Sequence, residues 1–282
     1  MIIALRQHWP EYVIEAALLG LFMVSAGLFA TIIEHPNSPI RRVLDDALLR
    51  RFLMGLAMGL TAVALIYSPW GKRSGAHFNP AVTLAFFRLK KIRKWDAFFY
   101  IFFQFIGAAA GVLLVWLLIG NPLSHPLIRF VVTIPGRWGI SVAFIAEMVL
   151  SFALMFVVLF STNTKKLASL TGVFAGILLV LYITIEAPIS GMSINPARTF
   201  GSALAAHLWT GFWIYLLAPP LGMLAAAELR LRTQGAHSVL CAKLHHQNNK
   251  RCIFNCGFKQ MPRENQKQWK IEFPSLQSED LI

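Results

Sequence analysis

Six stretches of the chain, near 11–33, 52–70, 96–119, 139–160, 167–188 and 211–230, are apolar over roughly the length that carries a helix across the bilayer. A crossing of about 30 Å of hydrocarbon needs about 20 residues, so each stretch predicts a membrane-spanning helix. Two shorter segments, 79–88 and 195–206, follow polar leads and reach only about half a crossing; they predict re-entrant half-helices. The polar insert 34–51 carries Pro36 and Pro39 as breakers and leaves room for a short surface helix. Beyond 230 the periodicity stops. Residues 231–282, with eight basic and four acidic side chains, predict a loosely ordered soluble tail after a membrane domain spanning 1–230.

The two half-helix segments are copies. "SGAHFNPAVT" at 74–83 and "SGMSINPART" at 190–199 agree at six of ten positions, and Asn79 and Asn195 lie 116 residues apart. The match extends to the spans: Glu15 opens "EAALLGLFMVSAG" in the first and Glu147 opens "EMVLSFALMFVVL" in the fourth. Repeat 1 covers about 8–120 and repeat 2 about 138–230. Each holds three crossings, an odd number, so the second enters from the opposite face and the repeat is inverted. The predicted class is an all-α membrane protein of six transmembrane helices plus two re-entrant half-helices.

Composition agrees: 282 residues, 56% hydrophobic and 14% charged, fall outside the soluble globular range. The net charge of +13 sits in loops and the tail, which points to membrane topology and away from a nucleic-acid face. With both termini cytoplasmic, nineteen of the 26 basic residues fall on the inside, as the positive-inside rule favours. The N-terminus lacks the parts of a cleavable signal peptide, so the first span is expected to stay. Cys241, Cys252 and Cys256 all lie in the tail, so no disulfide framework holds the apolar part. Cys252 and Cys256 with His245 and His246 match no zinc spacing, and a reduced tail without metal is expected.

Asn is a strong N-cap and Pro suits the first helical position, so Asn79-Pro80-Ala81 and Asn195-Pro196-Ala197 are helix starts. A capping side-chain oxygen accepts a backbone N–H and leaves the amide N–H₂ free to donate elsewhere. Unpaired backbone in hydrocarbon costs several kcal/mol per group, so the extended leads must be buried in protein or line a wet cavity. Each helix N-terminus carries roughly half a positive charge, and two meeting at the midplane repel cations. Arg198 sits in the first turn of its half-helix, where a cation is unfavourable by about 0.3–1 kcal/mol. The first copy has Val82 there, so the repeat does not impose arginine, and a solute-facing donor is the better reading.

Paired Asn-Pro-Ala motifs, each led by Ser-Gly, with arginine after the second and glutamates in the first and fourth spans, resemble the aquaporins, or major intrinsic proteins. The resemblance covers about 8–230. It implies a homotetramer in a plasma or inner membrane, with a pore in each protomer for water or small neutral solutes, no catalysis and no cofactor. By that resemblance Asn79 and Asn195 are central donors and Arg198 belongs to an outer selectivity filter with Met192, Ile183 and either Met58 or Gly59. Ile183 stands where strict water channels usually carry histidine, so the constriction is expected to be wide and apolar. Thr199, Ala203 and Tyr215 look more like the water-channel side. Water conduction is the favoured expectation, with a glycerol- or urea-type facilitator as the alternative.

Glu15 and Glu147 are expected to accept N–H groups of the re-entrant leads, and His77 to brace its loop. Glu186, one turn past Ile183, is expected near Arg198 or the outer vestibule, where it would offset the arginine's field. Ser193 with His207 offers a remote reading as an intramembrane serine hydrolase. A coupled transporter would need an acidic midplane pair, which the sequence does not offer.

Overall fold

The computed structural model describes residues 1–260, among which there is no β-strand. Helix α1 (Ile2–Glu34) starts well ahead of its apolar run. Its early turns are tied down by polar side chains: His8 Nδ1 lies 2.7 Å from Asp96 Oδ1, and the Tyr12 hydroxyl donates to the same oxygen at 2.5 Å. Ser38 caps the short surface helix α2 (Pro39–Val43), its hydroxyl accepting from the Ile40 N–H. Helix α3 (Ala47–Tyr67) begins inside the polar insert because Asp46 accepts from the N–H groups of Leu48 and Leu49, a favoured N-cap arrangement. Arg50 is absorbed by donating from Nε to both Glu34 oxygens at 3.1 Å.

One helical turn, α4 (Pro69–Ser74), leads into the first half-helix α5 (Pro80–Arg88), and α6 (Lys94–Ile119) returns across. The second half repeats the plan: α7 (Gly139–Thr162), α8 (Thr171–Ile185), the turn α9 (Ala187–Ser190), half-helix α10 (Pro196–Ala206) and α11 (Phe212–Gln234). Among the described residues, six helices are long and apolar enough to cross a membrane.

Glycines set how closely these helices approach. A Cβ on Gly107 of α6 would stand 2.1 Å from the Ala16 carbonyl oxygen of α1, and one on Gly222 of α11 would stand 2.1 Å from Met148 O of α7. The symmetry-related pairs α1/α6 and α7/α11 thus touch backbone to backbone, the close approach that small residues allow where lipid supplies no hydrophobic drive. Across the centre, α3 meets α8 through Gly55 and Gly59, whose Cβ atoms would fall 2.8 Å from Val180 O and 2.7 Å from Gly176 O. Each half-helix packs on the opposite half's third span, α10 against α6 and α5 against α11. The halves are thereby interlocked.

Residues 231–258 depart from the loosely ordered tail expected of them. Helix α11 runs on to Gln234, and residues 239–258 fold back against the face that carries the N-terminus, burying Val239, Cys241, Ala242, Lys243, Phe254 and Cys256. The segment has no helical or strand period to read, yet its scattered apolar side chains find cover: Phe254 stacks on His77 with ring centroids 5.5 Å apart. Expectations for 261–282 lie outside the described residues.

Candidate functional site

The two Ser-Gly leads adopt the same backbone. Gly75 (φ 103°) and Gly191 (φ 83°) turn in the left-handed region, followed by Ala76 and Met192 (φ 57° and 50°) and by Phe78 and Ile194 (φ 28° and 50°). Non-glycine residues held there cost about 1–3 kcal/mol each and persist where the surroundings over-determine them. The carboxylates of the first and fourth spans do so. Glu15 Oε1 accepts from Ser74 Oγ at 2.7 Å and His77 N at 3.1 Å, and Oε2 accepts from Phe78 N at 2.6 Å and Gln104 Nε2 at 2.8 Å. Glu147 Oε1 accepts from Ser190 Oγ and Ser193 N, both at 2.7 Å, and Oε2 from Ile194 N at 2.6 Å. Strain that recurs residue for residue is therefore matched by charge-assisted acceptance of the N–H groups it exposes.

Both motif asparagines cap their half-helices. Asn79 Oδ1 accepts from Ala81 N at 2.9 Å, and Asn195 Oδ1 from Ala197 N at 3.1 Å and Arg198 N at 3.2 Å. Their amides are not wholly free, as the caps alone had implied. Asn79 Nδ2 donates to Ile194 O and Asn195 Nδ2 to Phe78 O, each at 2.8 Å. Each amide has two hydrogens, so one crosses to the opposite lead and one is left for the cavity.

A cavity of about 300 Å³ passes between the motifs, lined at one end by Glu34 and Arg51 and at the other by Ile66, Val158 and Leu244. Met58, Ile183, Met192 and Arg198 line it together with Asn79 and Asn195. By this measure a water needs about 10–15 Å³, so a chain of waters fits. Gly59, the other reading of the second-span position, packs against the Gly176 carbonyl; one residue of helical rotation separates a wall position from a packing position. Buried Nη1 of Arg198 has no hydrogen-bond partner among the described residues, and Met58, Ile183 and Met192 bring no polar group beyond a thioether to the same cavity.

Glu186 does not reach Arg198. It is buried at the end of α8, beside Ser190, Glu147 and Tyr215, because α9 turns the chain there at Pro188 and puts it behind the lead. Ser193 and His207 do not form a nucleophile and base either. The Ser193 hydroxyl donates to Asn195 O at 3.0 Å and bonds Thr199 Oγ1, while His207 ends α10. Eleven helical residues at about 1.5 Å each lie between them. His77 braces its loop from both ring nitrogens, Nδ1 3.1 Å from Thr83 Oγ1 and Nε2 2.8 Å from Ala242 O.

The Ala242 contact leads to groups the sequence reading did not assemble. Cys241 Sγ, His246, Cys252 Sγ and Cys256 Sγ lie with ligand atoms all within 4.8 Å of one another. His245, grouped with them by sequence proximity, faces Tyr67 instead, ring edge to face at 5.0 Å. Cys241 was missed because eleven residues and an irregular chain path separate it from Cys252. Hydrogen bonds from Cys241 and Cys252 hold the Cys256 thiol well below the usual thiol range. Lys243, buried beside them, donates from Nζ to Lys72 O and Arg251 O at 2.7 Å and to Lys250 O at 3.2 Å. Burial lowers its pKa from the ordinary lysine value, against the raising effect of the neighbouring cysteines.

Among curated relatives, "Aquaporin NIP1-2" of Arabidopsis thaliana is 36% identical over 186 residues, covering 62% of this chain and 61% of that protein. "Nodulin-26" of Glycine max is 36% identical over 177 residues, 62% of each chain, and "Aquaporin NIP1-1" of Arabidopsis thaliana is 37% identical over 226 residues, 75% of this chain and 70% of the relative. The chain thus spans a little over three fifths of the length of the first two. The X-ray structure of the aquaglyceroporin from Plasmodium falciparum superposes with a TM-score of 0.67 over 80% of this chain and 97% of its own, at 20% identity, and shares the fold. The family model "Major intrinsic protein" matches residues 7–229, the stretch that holds both motifs, both buried glutamates and every cavity-lining residue but Leu244, and the chain belongs to that family.

Proposed function

We propose that this protein is a passive membrane channel for water and small uncharged solutes that excludes ions and protons, with no catalytic step. The observation that carries the reading is one stretch of the cavity wall: a fixed cation, Arg198, with a buried unpartnered Nη1, beside the apolar Met58, Ile183 and Met192. Beyond it stand the asparagine amides at the starts of two opposed half-helices. A molecule leaving bulk water can donate to and accept from this line, whereas a cation meets Arg198 and then two positive helix ends. Water is the preferred substrate in this reading, supported by how few polar groups line the cavity beside Arg198.

A second reading, a facilitator for glycerol- or urea-type solutes, is favoured by the same three apolar side chains. They offer a surface for the C–H face of a polyol while Arg198 takes its hydroxyls. Reswelling of reconstituted vesicles in glycerol and in urea, after shrinking in sorbitol, separates the two. Fast shrinking with slow reswelling supports water preference; reswelling as fast as shrinking supports the facilitator. The basic loops favour both termini in the cytoplasm of a plasma or inner membrane, and the family resemblance a homotetramer. Cross-linking in vesicles tests the latter.

A further inference from the structure

We propose that Cys241, His246, Cys252 and Cys256 form a tetrahedral Cys₃His site for zinc, which clamps residues 239–258 over the mouth of the cavity on the face that carries the N-terminus. The geometry suits that ion. Cys241 and Cys252 sulfurs are 3.6 Å apart, Cys256 Sγ is 3.1 Å from His246 Nε2, and all four ligand atoms fall within 4.8 Å of one another. Zinc–sulfur bonds of about 2.3 Å and zinc–nitrogen bonds of about 2.0–2.1 Å at tetrahedral angles put ligand atoms about 3.5–3.8 Å apart, so shifts of a few tenths of an ångström to about 1 Å close the shell. Three thiols and one imidazole are a structural zinc set, and soft sulfur donors disfavour magnesium or calcium.

The fold of the segment supplies an independent reason. Between Val239 and Cys256 the chain has no helix or strand, yet it is packed and its sulfurs are buried or half-buried. So short an irregular stretch has little core of its own, and a structural metal is one of the few ways to hold it. The His246 ring is held by stacking on Phe258 at 4.3 Å between centroids. A Cys241–Cys252 disulfide would use only two of the four groups, and a reducing cytoplasm disfavours it.

Ligand positions relate the site to the cavity. Cys241 and His246 bracket Leu244, whose side chain lines the terminal end of the cavity with Ile66, Ala76 and Val158. Leu244 N donates to Gly75 O at 3.1 Å, and Ala242 O receives the His77 ring, so this turn is seated directly on the first motif's lead. Binding 241 and 246 to one ion closes the turn and holds Leu244 in the mouth. The site itself stands on the side-chain cluster; its effect on flux rests on the channel reading above.

The full chain, purified in detergent without chelator, is analysed for metal by mass spectrometry, and stripped protein is titrated with Zn²⁺ and with Co²⁺. One zinc per chain is expected, with tetrahedral cobalt–thiolate absorption on Co²⁺ loading and loss of both in a Cys252→Ser/Cys256→Ser variant. Wild-type protein that neither carries nor takes up metal, or that yields a Cys241–Cys252 disulfide when thiols are trapped at lysis, overturns the site whether or not the variant folds. Vesicles with zinc bound and with zinc removed by a permeant chelator then report on the mouth. Severalfold faster shrinking after removal is expected, and equal rates overturn the clamp. No flux above empty vesicles in either state, with zinc still stoichiometric, contradicts the channel reading and not the site.

Discussion

Asn79 and Ile194, 115 residues apart, are joined by a 2.8 Å hydrogen bond from the asparagine amide to the isoleucine carbonyl, and Asn195 repeats it onto Phe78. Each motif asparagine therefore starts its own half-helix and ties down the other half's lead. Asn79→Ala and Asn195→Ala should each cost about 0.5–2 kcal/mol as lost caps. Because the two bonds close one ring of contacts, the double variant should deviate from additivity by about 0.5–3 kcal/mol. Thermal stability of the three variants in detergent checks this; strict additivity would mean the halves are not coupled at the motifs.

Glu147 accepts three hydrogen bonds from the second lead, two of them from backbone N–H groups at 2.6–2.7 Å. Glu147→Gln presents an N–H₂ where an acceptor is required and leaves buried donors unpaired, at about 1–3 kcal/mol each. We expect Glu147→Gln to lower folded yield and melting temperature far more than Glu186→Gln, whose carboxylate oxygens have no hydrogen-bond partner in the described structure. Yield and melting in detergent compare the two directly.

Arg198 occupies the place that Val82 holds in the first copy. Arg198→Val keeps the backbone N–H that Asn195 caps and removes a cation from a helix N-terminus, so stability should hold or rise by about 0.3–1 kcal/mol. Exclusion should fail instead. A pH dye inside vesicles should register a faster proton leak, and a water flux abolished by this change would count against Arg198 as a filter.

Met58 and Ile183 line the apolar side of the cavity. Replacing both, Met58→Phe with Ile183→His, narrows it and adds a polar group; glycerol flux should fall at least tenfold relative to water flux. Parallel shrinking and reswelling of the same vesicles gives the ratio.

Much of this site was legible because its devices are local. An Asn-Pro-Ala start needs only three adjacent residues, and the Glu15 and Glu147 partners announce themselves as charges inside apolar runs. Met58 and Gly59 could not be separated by reading along the chain, since the choice depends on rotation of α3 about its axis, which the close Gly59–Gly176 approach decides. Glu186 was misplaced for a related reason: helical spacing carried it past Ile183 toward the outer face, but α8 ends there and α9 turns it inward. Cys241 and His246 lie in a stretch with no period, where proximity in space comes from a fold-back against His77 and Lys72 that no spacing rule encodes.

As proposed, a continuous wet path runs between two opposed half-helices, open to neutral molecules and closed to ions. Stopped-flow shrinking of reconstituted vesicles, with an internal pH dye read in the same run, tests it most directly. Water flux well above empty vesicles is expected, with the weak temperature dependence of a pore and no added proton leak. Flux equal to that of empty vesicles with zinc bound and with zinc removed, or water flux accompanied by protons, would contradict it.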